Sequence, residues 1–345
     1  MYEKQARRQS RSPPRRLGKG ADLPLIANIV FASTFGLALL LFGMKLMEAA
    51  LRQWAGSRLP DILRRTTSTP LRGFATGTAA SATLQSGTAV TVITIGLVNS
   101  GLLPLGQTLG IILGTNVGTC FTTELMSLRL HEYGMPVLLV SLAIWAWTAL
   151  AGEMQLLPRL PKRWVGPMRF GAAALAGFGL LLVGFAVLQS IGPQLLRSDA
   201  FLQLSSRAEA EPIWGVLGGA ALTAAVHSSA AVIGMSMGLA SSGALSPETG
   251  IAIVLGANVG TCFTGLLASL GGGRGGRFVA LAQIALNVTG AALFYPFMHL
   301  LLAAASAFAP EDAAAQIAHG QTIFNFACSL LVLPAAQLLS RRAAK

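Results

Sequence analysis

Charge is scarce in this sequence. Thirteen acidic and 25 basic side chains in 345 residues make 11% charged positions, against roughly 25% in a soluble domain. So few ionised groups cannot coat a water-facing globule of this length, which excludes a soluble enzyme and a disordered chain. Cysteine is scarce too. Cys120, Cys262 and Cys328 form no C-x-x-C pair, so neither a disulfide scaffold nor a structural zinc site follows. Aromatics are only 7%, and the basic residues fall between apolar runs. The net charge of +12 could suggest nucleic acid, but with so few aromatics and this placement of the basic residues no nucleic-acid partner is expected. The cytoplasmic bias of Lys and Arg beside membrane spans is a simpler origin for the charge.

Apolar sequence is abundant. Hydrophobic residues are 53% of the chain and the mean hydropathy is +0.63, the composition of a polytopic membrane protein with the lipid bilayer as its solvent. Uncharged stretches cover 23–44, 73–123, 133–152, 170–196, 212–247, 249–273, 278–310 and 313–340. A spanning helix needs about 20 residues. The stretch 73–123 is too long for one crossing and is punctuated at Gln85-Ser86-Gly87 and at 101–104. It reads as a hairpin of two half-helices followed by a span. The stretch 212–273 reads the same way, with breaks at His227-Ser228-Ser229 and 242–247.

These two regions are one sequence written twice. Shifted by 142 residues, 77–122 aligns with 219–264 without a gap, and about 21 of 46 positions are identical. Gly114-x-Asn116-Val117-Gly118-Thr119-Cys120-Phe121-Thr122 repeats as Gly256-x-Asn258-Val259-Gly260-Thr261-Cys262-Phe263-Thr264. Biased composition would not keep an asparagine, a cysteine and three glycines in register. The expected fold is an all-α polytopic membrane protein of two inverted-topology repeats. Each repeat carries a re-entrant helical hairpin and a transmembrane helix interrupted at its Asn-Val-Gly-Thr block. The boundaries read as a disordered basic tail (1–22), repeat one (23–152, hairpin about 73–101), a cytoplasmic loop (153–169) and repeat two (170–306, hairpin about 212–243). An extra C-terminal transmembrane helix and basic tail (307–345) follow, the helix having no counterpart.

Charge sets the orientation. Arg52, Arg58, Arg64, Arg65, Arg72, Arg159, Lys162, Arg163, Arg169, Arg274, Arg277, Arg341, Arg342 and Lys345 fall on one side. Only Arg129, Arg197 and Arg207 fall on the other, with Asp199, Glu209, Glu211, Glu248, Glu311 and Asp312. The first side is therefore cytoplasmic, and the hairpins enter from opposite faces. The basic tail, with its seven cations, disagrees by falling outside.

Broken helices in a bilayer persist only where the freed backbone is buried in protein or lines a cavity, and matching breaks in two repeats point to a transporter binding site. At each tip the second half-helix starts near Ser86–Thr88 or Ser228–Ala230, offering unpaired N–H groups and a positive dipole end. Ser86, Thr88, Ser228 and Ser229 add hydroxyl donors for an oxyanion, and Gln85 and His227 complete the expected substrate-binding set. Oxygen ligands for sodium are expected from Gln85, Ser86, Asn116, Thr119, Ser228, Asn258 and Thr261. His227 stands where Gln85 stands in the first copy. An intramembrane histidine is a functional candidate by default, and histidine is the side chain able to link transport to protons. Lys45, Glu48, Glu124 and Glu153 lie near the ends of apolar runs and read as interfacial. An intramembrane hydrolase is disfavoured, because adjacent His227 and Ser228 would rarely face each other and a duplicated serine suits shared binding.

Gln-Ser-Gly-Thr-Ala at 85–89, His-Ser-Ser-Ala at 227–230 and the two Gly-x-Asn-Val-Gly-Thr blocks resemble the type II sodium–phosphate cotransporters. That family carries a Gln-Ser-Ser-Ser signature in each inverted repeat. The resemblance covers about 30–300 and implies symport of inorganic phosphate with sodium as the coupling ion, with no other cofactor. It places substrate and cations around both signatures, at Gln85, Ser86, Thr88, Ser228 and Ser229. Gly87 and His227 depart from the pattern, which leaves another small anion or a proton couple as the alternative. Many bacterial members of that family carry a cytoplasmic helical domain after the transporter; none is expected here, nor regulation through it. High Ala, Gly and Arg usage suggests a bacterial inner membrane. A homo-oligomer is compatible with the sequence but not indicated by it.

Overall fold

A computed structural model describes residues 22–55, 58–152, 161–270 and 273–343. Apart from Asp22, the expected basic tail lies outside these residues, as do 153–160 of the expected cytoplasmic loop. The described chain is helical, with no strand among the described residues. Helix α1 (Asp22–Ala55) leads through the short α2 (Arg58–Thr66) to α3 (Pro70–Leu84), α4 (Gly87–Asn99) and α5 (Leu105–Ser127). After α6 (Gly134–Gly152), helix α7 (Lys162–Ser190) opens the second half, followed by the short α8 (Gly192–Leu195) and α9 (Asp199–Ala210). Then come α10 (Ile213–Val226), α11 (Ser229–Ser241), α12 (Pro247–Ser269), α13 (Arg274–Phe294), α14 (Met298–Phe308) and α15 (Ala313–Ala343).

Among the described residues, six segments are long and apolar enough to cross a bilayer, drawn from α1, α6, α7, α12, α13 with α14, and α15. Helix α5 has the same 23-residue length as α12. It is less apolar than α12 because Gln107, Thr108, Thr115, Asn116, Thr119, Thr122, Thr123 and Glu124 dilute it. Helices α3, α4, α10 and α11 have only 13 to 15 residues. At 1.5 Å per residue each spans about 20 Å, short of a hydrocarbon core of about 30 Å.

The breaks between these short helices have one local cause. Gln85 (φ 55°, ψ 29°) and His227 (φ 57°, ψ 27°) both adopt the left-handed conformation that ends a helix. The next residues, Ser86 (φ −156°) and Ser228 (φ −151°), are extended and cap the following helix.

The expected second kind of break is absent. Helices α5 and α12 run without interruption through their Asn-Val-Gly-Thr blocks. The block glycines serve close packing instead. A Cβ on Gly114 would lie 2.2 Å from the Phe74 carbonyl oxygen, and one on Gly256 would lie 1.9 Å from that of Val216. Gly118 and Gly260 approach the carbonyls of Thr78 and Ala220 in the same manner, at 2.5 and 2.6 Å. Helix α3 thus lies backbone to backbone along α5, and α10 along α12. Both pairs run parallel, since each partner advances with its glycine.

Contacts between the halves fix further directions. Gly43 meets the Gly177 carbonyl and Gly177 meets that of Gly43, while Gly184 meets Gly36, so α1 and α7 run antiparallel. Helix α15 is antiparallel to α5, through Ser329 to Leu113 and His319 to Glu124. It is parallel to α12, through Ile317 against Gly250 and Asn325 to Asn258. Hence α5 and α12, the two copies, run in opposite directions. Leu181, Leu182, Phe185 and Leu188 of α7 and Phe324 of α15 anchor the apolar core between the halves.

Candidate functional site

The two broken tips share one cavity. Its volume is about 50 Å³, room for a few waters or one small oxyanion. Gln85, Ser86, Gly87, Thr88, Thr119 and Thr122 line it from the first half. His227, Ser228, Ser229, Ala230, Thr261 and Thr264 line it from the second, and Leu41, Met44, Lys45 and Glu48 of α1 complete the wall.

The capping chemistry leaves the cavity rich in donors. Ser86 Oγ accepts the Ala89 N–H at 3.2 Å, and Ser228 Oγ accepts that of Ala231 at 3.3 Å. Each serine oxygen is thus committed to its own helix, and the hydroxyl proton is what remains to offer. Ser228 turns its proton towards the Met44 sulfur, 3.9 Å away. The N–H groups of Gly87, Thr88, Ser229 and Ala230 sit at first-turn positions that have no intrahelical acceptor.

The halves differ where the sequence departs from its own repeat. Gln85 Nε2 donates to the Ala82 carbonyl at 2.6 Å, and its Oε1 accepts from Thr122 Oγ1 at 2.8 Å. His227 does neither; its ring stacks on Phe263 with centroids 5.9 Å apart. Gly87 is explained by space. A Cβ there would lie 2.6 Å from the Thr119 methyl, whereas the equivalent position of the second half carries Ser229.

Asn116 and Asn258 are not brought to this cavity. Asn116 Nδ2 donates to Asn287 Oδ1 at 2.8 Å, and Asn258 Nδ2 donates to Asn325 Oδ1 at 2.9 Å. All four asparagines line a separate cavity of about 220 Å³ with Leu286, Leu293 and Val332. Of the ten expected site residues, eight therefore converge and two face elsewhere.

Sequence reasoning missed two features. Lys45 and Glu48 line the shared cavity rather than a membrane interface, because α1 continues to Ala55 beyond its apolar run. Positions 41, 44, 45 and 48 form one helical stripe, which was a readable signal. The last helix also has a counterpart after all. Gln321-x-x-x-Asn325 on α15 repeats Gln283-x-x-x-Asn287 on α13, and the two meet equivalent partners: Cys120 Sγ reaches the Gln321 carbonyl and Cys262 Sγ that of Gln283, both at 3.8 Å. One partner is lost in the second copy. Thr123 Oγ1 donates to Gln321 Oε1 at 2.6 Å; Gly265 replaces Thr123, and the buried Gln283 Oε1 has no partner.

A hydrolytic site gains no support. Gly234-Met235-Ser236-Met237-Gly238 does spell G-x-S-x-G, but it lies inside α11. Ser236 is buried and donates to the Ile233 carbonyl at 2.7 Å, and no strand leads into a nucleophile elbow. No group of three or more His, Cys, Asp or Glu could hold a metal among the described residues.

The model of the Na+/Pi-cotransporter family matches this chain twice in succession, over 39–190 and 180–334. The chain belongs to the Na+/Pi-cotransporter family. The second match begins in α7, where the structure begins its second half. The uncharacterized protein YqeW of Bacillus subtilis (strain 168) is 31% identical over 312 residues, covering 88% of this chain and 94% of that protein. The "Putative inorganic phosphate export protein YjbB" of Escherichia coli (strain K12) is 24% identical over 264 residues, covering 76% of this chain and 46% of its own. Its namesake in Salmonella typhimurium is 23% identical over 304 residues, covering 88% and 53%. The chain spans about half the length of these two relatives. No solved structure matches it.

Proposed function

We propose that this protein is a secondary transporter that carries inorganic phosphate together with sodium across a bacterial inner membrane. The observation that carries the reading is the convergence of two serine-capped helix starts, one from each half, on a single donor-rich cavity. Such helix starts favour anions, and neutral donors bind an oxyanion without trapping it. The antiparallel pairing of α1 with α7, and of α5 with α12, supports an inverted-topology repeat. The four short helices support re-entrant hairpins that meet from opposite faces. Family membership supports phosphate as the substrate.

The second half supplies the freer acceptors for sodium. Gln85 occupies the Ala82 carbonyl in the first half, whereas His227 leaves the equivalent Ala224 carbonyl without that side-chain partner. Thr264 adds a cavity-lining hydroxyl from the same half, while Thr261 Oγ1 already accepts from Asn287 Nδ2 at 3.1 Å. Hard cations prefer such oxygen ligands. A symporter runs in whichever direction its gradients dictate, so the name of the export relatives is compatible with coupled transport.

Proteoliposomes test this. Phosphate flux should require sodium, fail with potassium, and be lost in Ser86→Ala and Ser228→Ala. Flux driven equally well by a proton gradient without sodium favours the proton-coupled reading, and flux of another anion in preference to phosphate refutes the substrate.

A further inference from the structure

The cavity wall holds a charge pair that the neutral-donor picture does not use. Lys45 Nζ lies 2.8 Å from Glu48 Oε2, one turn apart on α1. The Lys45 side chain is 64% exposed, while that of Glu48 is 18% exposed. With His227, they are the ionisable groups that line the cavity. An oxyanion entering beside Glu48 meets a like charge, which the ammonium can relieve by turning towards the newcomer. A largely enclosed carboxylate left without its ammonium then requires another cation. The lysine stem is flexible and carries three donors, so it can make that turn without moving the helix.

We propose that Lys45 is a transferable counter-ion. In the empty cavity it holds Glu48. When phosphate binds, Lys45 passes to the anion and the vacated Glu48 carboxylate takes the coupling sodium. The exchange keeps the cavity's charge balanced when one singly charged anion and one cation are loaded together, and it makes each favour the other. The inference rests on the proposed phosphate and sodium function and gives it a mechanism of coupling.

Equilibrium dialysis of inorganic phosphate against the purified full-length protein, in sodium or in choline, tests the exchange. Wild type should bind phosphate at least tenfold more tightly in sodium. Lys45→Gln should weaken phosphate binding at least tenfold in either salt, and Lys45→Arg should restore it substantially. Glu48→Gln should bind phosphate equally in sodium and in choline, a loss of sodium dependence that a merely structural role would not produce. Should Lys45→Gln aggregate, Lys45→Arg and the near-isosteric Glu48→Gln still decide. Sodium dependence surviving in Glu48→Gln, or wild-type affinity in Lys45→Gln, overturns the exchange while leaving phosphate binding intact. A wild-type protein that binds no phosphate overturns both the exchange and the proposed function.

Discussion

Gly87→Ser restores the family's serine at the first tip, yet it is expected to harm this protein. A Cβ at position 87 falls 2.6 Å from the Thr119 Cγ2 methyl and 3.3 Å from the Thr115 carbonyl oxygen. Ordinary contact begins near 3.4 Å, so about 0.8 Å must be found at the methyl. Rotating Thr119 away sacrifices its 2.8 Å hydrogen bond to the Asn116 carbonyl. Shifting α4 instead moves the donors of the tip. Overpacking of this kind costs about 1–3 kcal/mol, which should lower the thermal midpoint of the detergent-solubilised protein by a few degrees. Thr119→Ser removes the offending methyl and keeps the hydroxyl. The double variant Gly87→Ser/Thr119→Ser should therefore recover most of the loss. A Gly87→Ser protein as stable as wild type, or a double variant no better than the single, would refute the steric account.

Other outcomes follow from the same geometry. Gly265→Ser should supply the missing donor to Gln283 Oε1 and remove a mid-helix glycine, raising stability by about 1 kcal/mol; a lower thermal midpoint means that the 3.0 Å approach of its Cβ to Oε1 is not absorbed by the glutamine. Asn287→Leu should cost about 1–3 kcal/mol by leaving Asn116 Nδ2 without its acceptor, measurable as a lowered thermal midpoint, with Asn325→Leu doing the same to Asn258. Burial pushes the Asp312 carboxyl up, but the Ala315 N–H and the Arg129 guanidinium outweigh it and hold the carboxyl below its ordinary value. A depressed carboxylate contributes stability that is present above its unfolded pKa and lost as pH falls through the folded one. Asp312→Asn should therefore flatten the acid limb of a stability–pH profile below about pH 4.

The tips were legible because Gln85-Ser86 and His227-Ser228 interrupt apolar sequence at matching places, and because serine is a strong helix N-cap. Asn116 and Asn258 misled for a related reason. A polar residue in an apolar run looks like a break, but their partners Asn287 and Asn325 lie on α13 and α15, far away in sequence. With those partners the helix has no need to unwind. Glycine was ambiguous as well, since the residue that permits unwinding also permits the backbone approach seen at Gly114 and Gly256. Lys45 and Glu48 were misplaced because charge at the end of a hydrophobic stretch resembles an interfacial anchor. Only the continuation of α1 to Ala55 shows otherwise. The Gln-x-x-x-Asn pair was readable, but its offset of 38 residues differs from the 142 that governs the rest.

The reciprocal glycines of α1 and α7 carry a mechanical consequence. At Gly43 and Gly177 each helix meets the other's bare main chain, with Leu180 Cβ beside it, so main chain makes much of the contact at that crossing. Helices joined by a smooth seam can shear with little rotamer rearrangement. Because α1 also bears Lys45 and Glu48, sliding along that seam would carry the charged stripe past the serine tips, tying the cavity's electrostatics to the relative position of the two halves.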